Sequence, residues 1–252
     1  MLTTGASLII ASASLIGSFV SGIFGMAGGQ IFLAVALVFL PVAPAIVVFA
    51  SVQVVAGGWR ALLWRRYVHW GVAWRYVVGS LVACVGFLAV NFVPSKPFVY
   101  LGIGLMPFAA FALPKQFAPD ITRRGAAYVC GFFMMTLQLV VGQAGNILDV
   151  FFQASPLDRK TVVATKAVTQ LVAQLLRVLY FGAFAGNVFG EIPPWVLVAL
   201  IGTAIGGTSL ATFALERMTD QGFRKWTKII IACFSAIYVA RGLWLLWTGE
   251  TD

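Results

Sequence analysis

The sequence is poor in charged residues. Only 10% of its 252 residues are Asp, Glu, Lys or Arg, whereas 61% are hydrophobic. A soluble domain carries about 25% charged residues, so this chain has too little polar surface to face water on all sides. Its mean hydropathy is +0.96, and its apolar segments approach the roughly 20 residues that cross a bilayer as a helix. The composition therefore predicts an all-α, polytopic transmembrane bundle.

Acidic residues are the scarcest charges, with 8 Asp and Glu against 17 Lys and Arg. The basic residues lie between apolar segments and not on one polar face, so we expect lipid, and no nucleic acid, as a partner. No Lys or Arg precedes Arg60. A cleavable signal peptide begins with a basic region, so we expect the first apolar segment, residues 8–24, to stay in the mature protein.

Residues suited to catalysis or metal binding are also few. The single histidine, His69, falls in an arginine-rich loop, and three cysteines lie far apart inside apolar segments. That spacing predicts neither a disulfide framework nor a metal cluster. The sequence shows no paired carboxylates, no nucleophile spaced beside a base and no phosphate-loop motif. It predicts a protein that is not an enzyme and that needs no cofactor.

What the chain does contain is a repeated order of segments: one long, one short and three long, twice over. Polar matches between the halves carry weight because matches of Ala or Val are common in so apolar a chain. An offset of 117 gives gap-free matches of Gly25 with Gly142, Gly28 with Gly145, Gln53 with Gln170 and Arg60 with Arg177. After a slip of four residues, Trp74 matches Trp195. We predict two transmembrane repeats, residues 1–118 and 119–252, in one membrane domain.

Each half opens with a glycine motif, FGMAGGQ at residues 24–30 and VGQAGN at residues 141–146. Each motif precedes an apolar run too short to cross a membrane. Glycine tolerates the positive φ that ends a helix, and irregular backbone at membrane depth occurs only where protein or a water-filled cavity surrounds it. The motifs predict a re-entrant hairpin in each half, followed by three crossing helices. The alternative is that these glycines only allow close helix packing.

The basic residues select between two topologies. Three crossings per half place residues 65–75, 115–124, 159–160 and 217–228 on one side, the cytoplasm, with both termini outside. Four crossings per half would move the cluster at 217–228 outside, against the positive-inside rule. An odd number of crossings also inverts the second half relative to the first. We therefore predict two inverted repeats in the cell inner membrane.

The predicted hairpins would bring the starts of two helices, at Gln30 and Ile147, to mid-membrane. A helix N-terminus offers free N–H groups and about half a positive charge, which together attract an anion. The predicted substrate is therefore a small anion. The candidate binding residues are Gly25, Gly28, Gly29, Gln30, Ser51, Gln53, Gly142, Gln143, Gly145, Asn146, Thr165, Lys166, Thr169, Gln170 and Arg177.

Structural alternatives stay open for several of these residues. The two glutamines of the crossing helices can bond neighbouring helix backbones. Arg60 can snorkel to the inner surface, and Lys166 can snorkel or pair with Asp149. Asp149 is the only acid inside an apolar segment, so coupling of transport to protons through it is also open.

The two glycine-broken hairpins, each followed by a helix with polar residues, resemble the TauE/SafE family of sulfite and organosulfonate exporters. The resemblance covers essentially the whole chain, with Asn146 standing where the first half has Gly29. It implies export of a sulfur oxyanion from the bacterial cytoplasm by alternating access. The residues alone leave other small anions open, such as a carboxylate. They also leave open a membrane protein that does not transport, either an assembly factor or an intramembrane enzyme.

Overall fold

The computed structural model describes residues 4–24, 27–112, 120–143, 145–153, 155–186, 194–217 and 220–249. This part of the chain forms α-helices and one short 3-10 helix at Arg65–Tyr67, so the predicted all-α class is confirmed. In chain order, the helices are α1 (Thr4–Phe24), α2 (Ala27–Phe39), α3 (Val42–Leu63), α4 (Trp70–Val90), α5 (Lys96–Ala112), α6 (Ala126–Val141), α7 (Gly145–Gln153), α8 (Arg159–Gly182), α9 (Pro194–Arg217) and α10 (Asp220–Thr248).

Three helices in the described residues are long and apolar enough to cross a membrane, namely Val42–Leu63, Trp70–Val90 and Lys160–Gly182. They have 22, 21 and 23 residues. At ~1.5 Å per residue each is at least about 30 Å long, the thickness of the hydrocarbon core. Helices suit this setting because their backbone N–H and C=O groups pair within the segment.

A helix ends at each of the two glycine motifs. Helix α6 ends at Gly142, whose φ of +90° favours glycine and whose N–H donates to the Gln138 carbonyl at 3.1 Å. Helix α1 ends at Phe24, and α2 begins three residues later at Ala27. The helices after the breaks have 13 and 9 residues, or about 20 and 13 Å at ~1.5 Å per residue, too short to cross the core.

Helices α1 and α2 form a tight antiparallel pair. A Cβ added at Gly28 would overlap the backbone of Gly17 and Ser21, and one added at Gly17 would lie 3.1 Å from the Phe32 Cβ. Glycine is needed here because the two backbones touch. These contacts fit close helix packing, the alternative that the sequence left open, and a binding role for Gly28 stays a prediction.

Contacts between loops and helices fix the two ends of the bundle. The Lys160 Nζ lies 5.4 Å from the Tyr67 ring, so α8 begins where α3 ends. This end, which also carries the exposed Arg65 and Arg66, is called the basic end below. At the far end, the Tyr180 hydroxyl donates to the Phe92 carbonyl at 2.7 Å.

The two short helices return to opposite ends of the bundle. Helix α2 leads through Leu40 and Pro41 into α3, which begins at the far end, whereas α7 leads into α8, which begins at the basic end. The packing also recurs between halves: α1 packs on α9 as α6 packs on α4, and α2 meets α10 as α7 meets α5. Helix α3 packs on α8, and α5 packs on α10. Inverted repeats would produce this pattern; the repeats, their boundaries and the membrane orientation stay predictions.

The contact between α5 and α10 uses a pair of matching motifs, Tyr100 with Gly104 and Tyr238 with Gly242. A Cβ at Gly104 would lie 3.0 Å from the Tyr238 Cβ, and one at Gly242 would lie 2.7 Å from the Leu101 Cγ. The two tyrosine rings are 5.4 Å apart. The sequence repeat did not indicate this match, because its offset of 138 differs from the offsets of 117 and 121 that relate the earlier segments.

Candidate anion site around Arg177

Arg177 is the largest fully buried side chain in the described part of the chain. It lies in α8, where its Nη1 donates to the Gln174 Oε1 at 2.9 Å one turn earlier. Its Nε and Nη2 are buried and make no hydrogen bond to the residues that the structure describes. Burying a charge without a partner is costly, and an ionisable group at membrane depth indicates function. Arg177 therefore has two adjacent N–H donors, Nε and Nη2, without an acceptor among the described residues.

Phe49 of α3 packs against this guanidinium. The Arg177 Cζ lies 5.2 Å from the centre of the Phe49 ring, within the range of a cation–π interaction. The Phe49 ring in turn lies 6.3 Å from the ring of Phe32 on α2. Both phenylalanines are buried, so α2, α3 and α8 meet at one apolar point that carries a positive charge.

The first turn of α2 lies against the same point. A Cβ added at Gly29 would lie 3.3 Å from the Gln53 Nε2 and 3.3 Å from the Phe49 Cε2. The next residue, Gln30, is buried, and its Oε1 has no partner among the described residues. Its carbonyl accepts the Tyr238 hydroxyl. Because the first four N–H groups of a helix have no intrahelical partner, the start of α2 adds donors beside Gln53.

The acids whose side chains the structure describes do not compensate Arg177. Asp120 lies in a loop and accepts hydrogen bonds from its own neighbour, Thr122. Asp158 is exposed at the start of α8, where hydrogen bonds from Thr161 hold the pKa of its carboxyl below the usual range. Both carboxylates thus have local partners, and neither of these two described acids pairs with Arg177.

A second pair of cations lies nearer the basic end. Arg60 falls in the last turn of α3, and Lys166 follows Lys160 by six residues near the start of α8. Both side chains are half-buried. Arg177 follows Lys166 by eleven residues, or about 16 Å along a helix at ~1.5 Å per residue. The two sets of cations therefore occupy different levels of the bundle.

A family model described as Sulfite exporter TauE/SafE matches residues 9–239 of the chain. The chain belongs to the TauE/SafE family. The resemblance seen in the glycine motifs is therefore confirmed, and family membership makes the protein a membrane transporter of the sulfite exporter type. No curated protein and no solved structure matches the chain.

Three hydroxyls of the TauE/SafE chain that the sequence proposed as ligands have structural partners. Ser51 and Thr169 donate to carbonyls of their own helices at 2.8 and 2.9 Å. The Thr165 Oγ accepts the backbone N–H of His69 at 2.9 Å, which ties α8 to the start of α4. These contacts give the three hydroxyls partners within the protein, and the Thr165 contact lies at the basic end.

The second glycine motif approaches α2. A Cβ added at Gly142 would lie 3.2 Å from the Val99 Cγ1 and 3.9 Å from the Leu33 Cδ2. Gln143 and Gly145 are buried beside it. The second glycine motif of this TauE/SafE chain therefore lies against both α5 and α2.

The remaining candidates are placed less fully. Gly25 and the side chain of Asn146 lie outside the residues that the structure describes. Gln143, Lys166 and Gln170 each have an interaction partner within the protein. Of the fifteen candidates, Gly29 and Arg177 approach Phe49, and Gln53 lies beside Gly29.

Sequence reasoning missed Phe49 and Gln174. Gln174 precedes Arg177 by three residues, a spacing that puts two side chains on one face of a helix and could have marked the pair. Phe49 matches Lys166 at the offset of 117, but an apolar residue in an apolar segment gives no local signal. Its role follows only from the packing of α3 on α8.

Proposed function

We propose that this protein exports a small sulfur oxyanion, such as sulfite or an organosulfonate, and binds it at Arg177. The observation that carries the proposal is the buried guanidinium with two donors that lack partners among the described residues. An anion bound there would offset the cost of burying the charge. It would also accept hydrogen bonds that contribute about 1.5–3 kcal/mol each when one partner is charged.

The surroundings of Arg177 suit a compact oxyanion. Gln53 and the first turn of α2 lie at the edge of the Phe49 ring, which also packs against the guanidinium. A sulfite or sulfonate has three oxygens, so it can accept hydrogen bonds from more than one donor at a time. A carboxylate offers the same kind of oxygen, and family membership is what favours sulfur compounds. It also disfavours the assembly-factor and enzyme alternatives.

Alternating access is the proposed mechanism. The hairpins belong to opposite ends of the bundle, so movement of one half against the other would open the site to each side in turn. In this proposal the basic end faces the cytoplasm across the inner membrane, and both termini lie outside. Arg60 and Lys166 would attract the anion on the cytoplasmic side, and Arg177 would bind it deeper.

Efflux of sulfite from proteoliposomes tests the proposal. The purified protein is reconstituted into vesicles, and the vesicles are loaded with sulfite. Release is followed with a sulfite-reactive dye in an external buffer that contains no thiol. The wild-type protein should release sulfite much faster than empty vesicles do. Arg177→Met should lose this activity, whereas Leu179→Ala, a change at an exposed position on the same helix, should keep it. Equal rates for Arg177→Met and wild type would place the site elsewhere.

A further inference from the structure

We infer that Gln174 is a positioning residue that holds the Arg177 guanidinium with its Nε–Nη2 edge toward the substrate, so that this edge receives two oxygens of one anion. The inference rests on the proposed function and names a residue that makes the site selective for one class of anion. That class is anions with two oxygens on one atom, as distinct from single-atom anions such as bromide.

The hydrogen bonds of Arg177 define which edge is free. A guanidinium presents two parallel donors at its side, Nε and Nη2, and two at its tip, Nη1 and Nη2. Gln174 occupies Nη1 at 2.9 Å. The donors without partners in the described part of the chain are Nε and Nη2, which form the side edge. Two parallel N–H groups match two oxygens of a planar or pyramidal oxyanion.

The packing restricts rotation of that edge. Arg177 and Gln174 are both buried, and Phe49 covers the guanidinium at 5.2 Å. The Gln174 amide therefore holds the Nη1 of Arg177, and the Phe49 ring restricts tilting of the guanidinium plane. Without the amide, the guanidinium could turn its tip toward the ligand or bond a nearby carbonyl. A single charge would remain, but the two-donor geometry would be lost.

A purely structural role for Gln174 makes a different prediction. If the amide only satisfied a buried donor, its removal would lower stability and weaken all anions alike. If the amide holds the Nε–Nη2 edge in place, its removal weakens the binding of oxyanions and leaves the affinity for a single-atom anion nearly unchanged. The ratio of the two affinities therefore separates the two roles, because a general loss of folded protein does not change it.

Calorimetric titration of the purified, detergent-solubilised protein with methanesulfonate and with bromide tests the inference. Gln174→Met keeps the side-chain length and removes the acceptor. We expect it to weaken methanesulfonate binding about ten-fold, as loss of one charge-assisted hydrogen bond would, while bromide affinity changes less than about two-fold. Arg177→Lys keeps the charge but removes the two parallel N–H donors. It should also weaken methanesulfonate binding more than bromide binding. Leu179→Ala should change neither affinity.

The remaining outcomes also decide the matter. Equal losses for both anions, or no loss, in Gln174→Met would overturn the positioning role. If that variant does not fold, Gln174→Glu replaces it: the carboxylate keeps an acceptor but cancels the charge, so both affinities should fall with their ratio retained, and a changed ratio would contradict the inference. Arg177→Met that binds methanesulfonate as wild type does would instead refute the proposed site itself.

Discussion

Phe49 and Lys166 occupy matching positions in the two predicted halves, and so do Arg60 and Arg177. The structure brings Phe49 of α3 against Arg177 of α8. The same offset relates this pair to Arg60 and Lys166, which lie on the same two packed helices. One pair combines a cation with an aromatic ring inside the bundle. The other pair consists of two half-buried cations near the basic end. A duplication would explain why the two pairs occupy matching positions. The pairs differ because the first half has Phe49 where the second half has Lys166.

The difference shows what each level can do. A desolvated cation with unpaired donors binds an anion tightly because water does not compete. Two half-buried cations near Arg65 and Arg66 attract anions over a distance but are screened by solvent and salt. We therefore expect the Arg177 level to set affinity and the Arg60 level to set the rate of capture.

The largest expected effect breaks this comparison directly. Arg177→Met should reduce sulfite efflux from proteoliposomes by more than about 100-fold at any salt concentration, since loss of a buried charge–ligand contact costs several kcal/mol. Lys166→Met should raise KM only a few-fold, and this effect should shrink as salt is raised from ~50 to ~500 mM because salt screens a half-buried charge more than a fully buried one. Equal, salt-sensitive losses in both variants would show that the two levels do the same work.

Two neighbouring glycines give the next largest effect. A Cβ at Gly28 would overlap the α1 backbone, so Gly28→Ala should cost several kcal/mol in stability, as overpacking against backbone does. A Cβ at Gly29 would press on Gln53 and Phe49 at 3.3 Å, so Gly29→Ala should fold and bind sulfite a few-fold more weakly. Thermal unfolding and calorimetry measure the two effects.

Gly57 of α3 provides the control for both glycine changes. A Cβ there meets nothing within 4 Å, so Gly57→Ala should leave stability equal or raised by up to about 1 kcal/mol through helix propensity. A Gly28→Ala variant as stable as Gly57→Ala would mean that the α1–α2 contact is not tight.

Phe49→Leu sharpens the comparison with a smaller effect. It removes the ring from the Arg177 guanidinium, and a desolvated cation–π contact contributes about 1–2 kcal/mol. We expect oxyanion affinity to fall about five- to thirty-fold, which corresponds to that energy range. Phe98→Leu, at an exposed position of α5, should leave the affinity unchanged. A loss of the same size in Phe98→Leu would indicate a general packing effect.

The smallest effect concerns the basic end. Thr165→Val removes the acceptor for the His69 N–H, and loss of such a hydrogen bond costs about 1 kcal/mol. Sulfite affinity should stay within two-fold of wild type, since the Thr165 hydroxyl already has a protein partner. A strong loss of affinity without loss of stability would restore Thr165 as a ligand.

The sequence predicted the membrane-helical fold and the family because hydropathy and glycine spacing are local properties of the chain. The break at Gly142 followed from the same signal, since its positive φ needs glycine. Gly28 was proposed as a ligand, but its contacts are those of helix packing. The sequence could not separate the two roles because both require a residue without a side chain.

The pairing across halves was beyond the sequence. The offset of 117 equates Arg60 with Arg177 but does not say which residue of α3 lies opposite each arginine. That depends on how α3 packs on α8, and Phe49 became part of the site only through this packing. Gln174 was overlooked because an amide one turn from an arginine is common on helices. The ligand role of the remaining candidates stays a prediction.

One measurement tests the central claim most directly: thermal unfolding of wild type and Arg177→Met in detergent, with and without sulfite. If Arg177 is a buried charge that awaits an anion, sulfite should raise the Tm of the wild-type protein, since a ligand at 100 times its Kd contributes about 2.7 kcal/mol. Arg177→Met should be at least as stable as the wild type without sulfite, because it buries no unpaired charge, and sulfite should leave its Tm unchanged. A less stable Arg177→Met whose Tm still rises with sulfite would contradict the account.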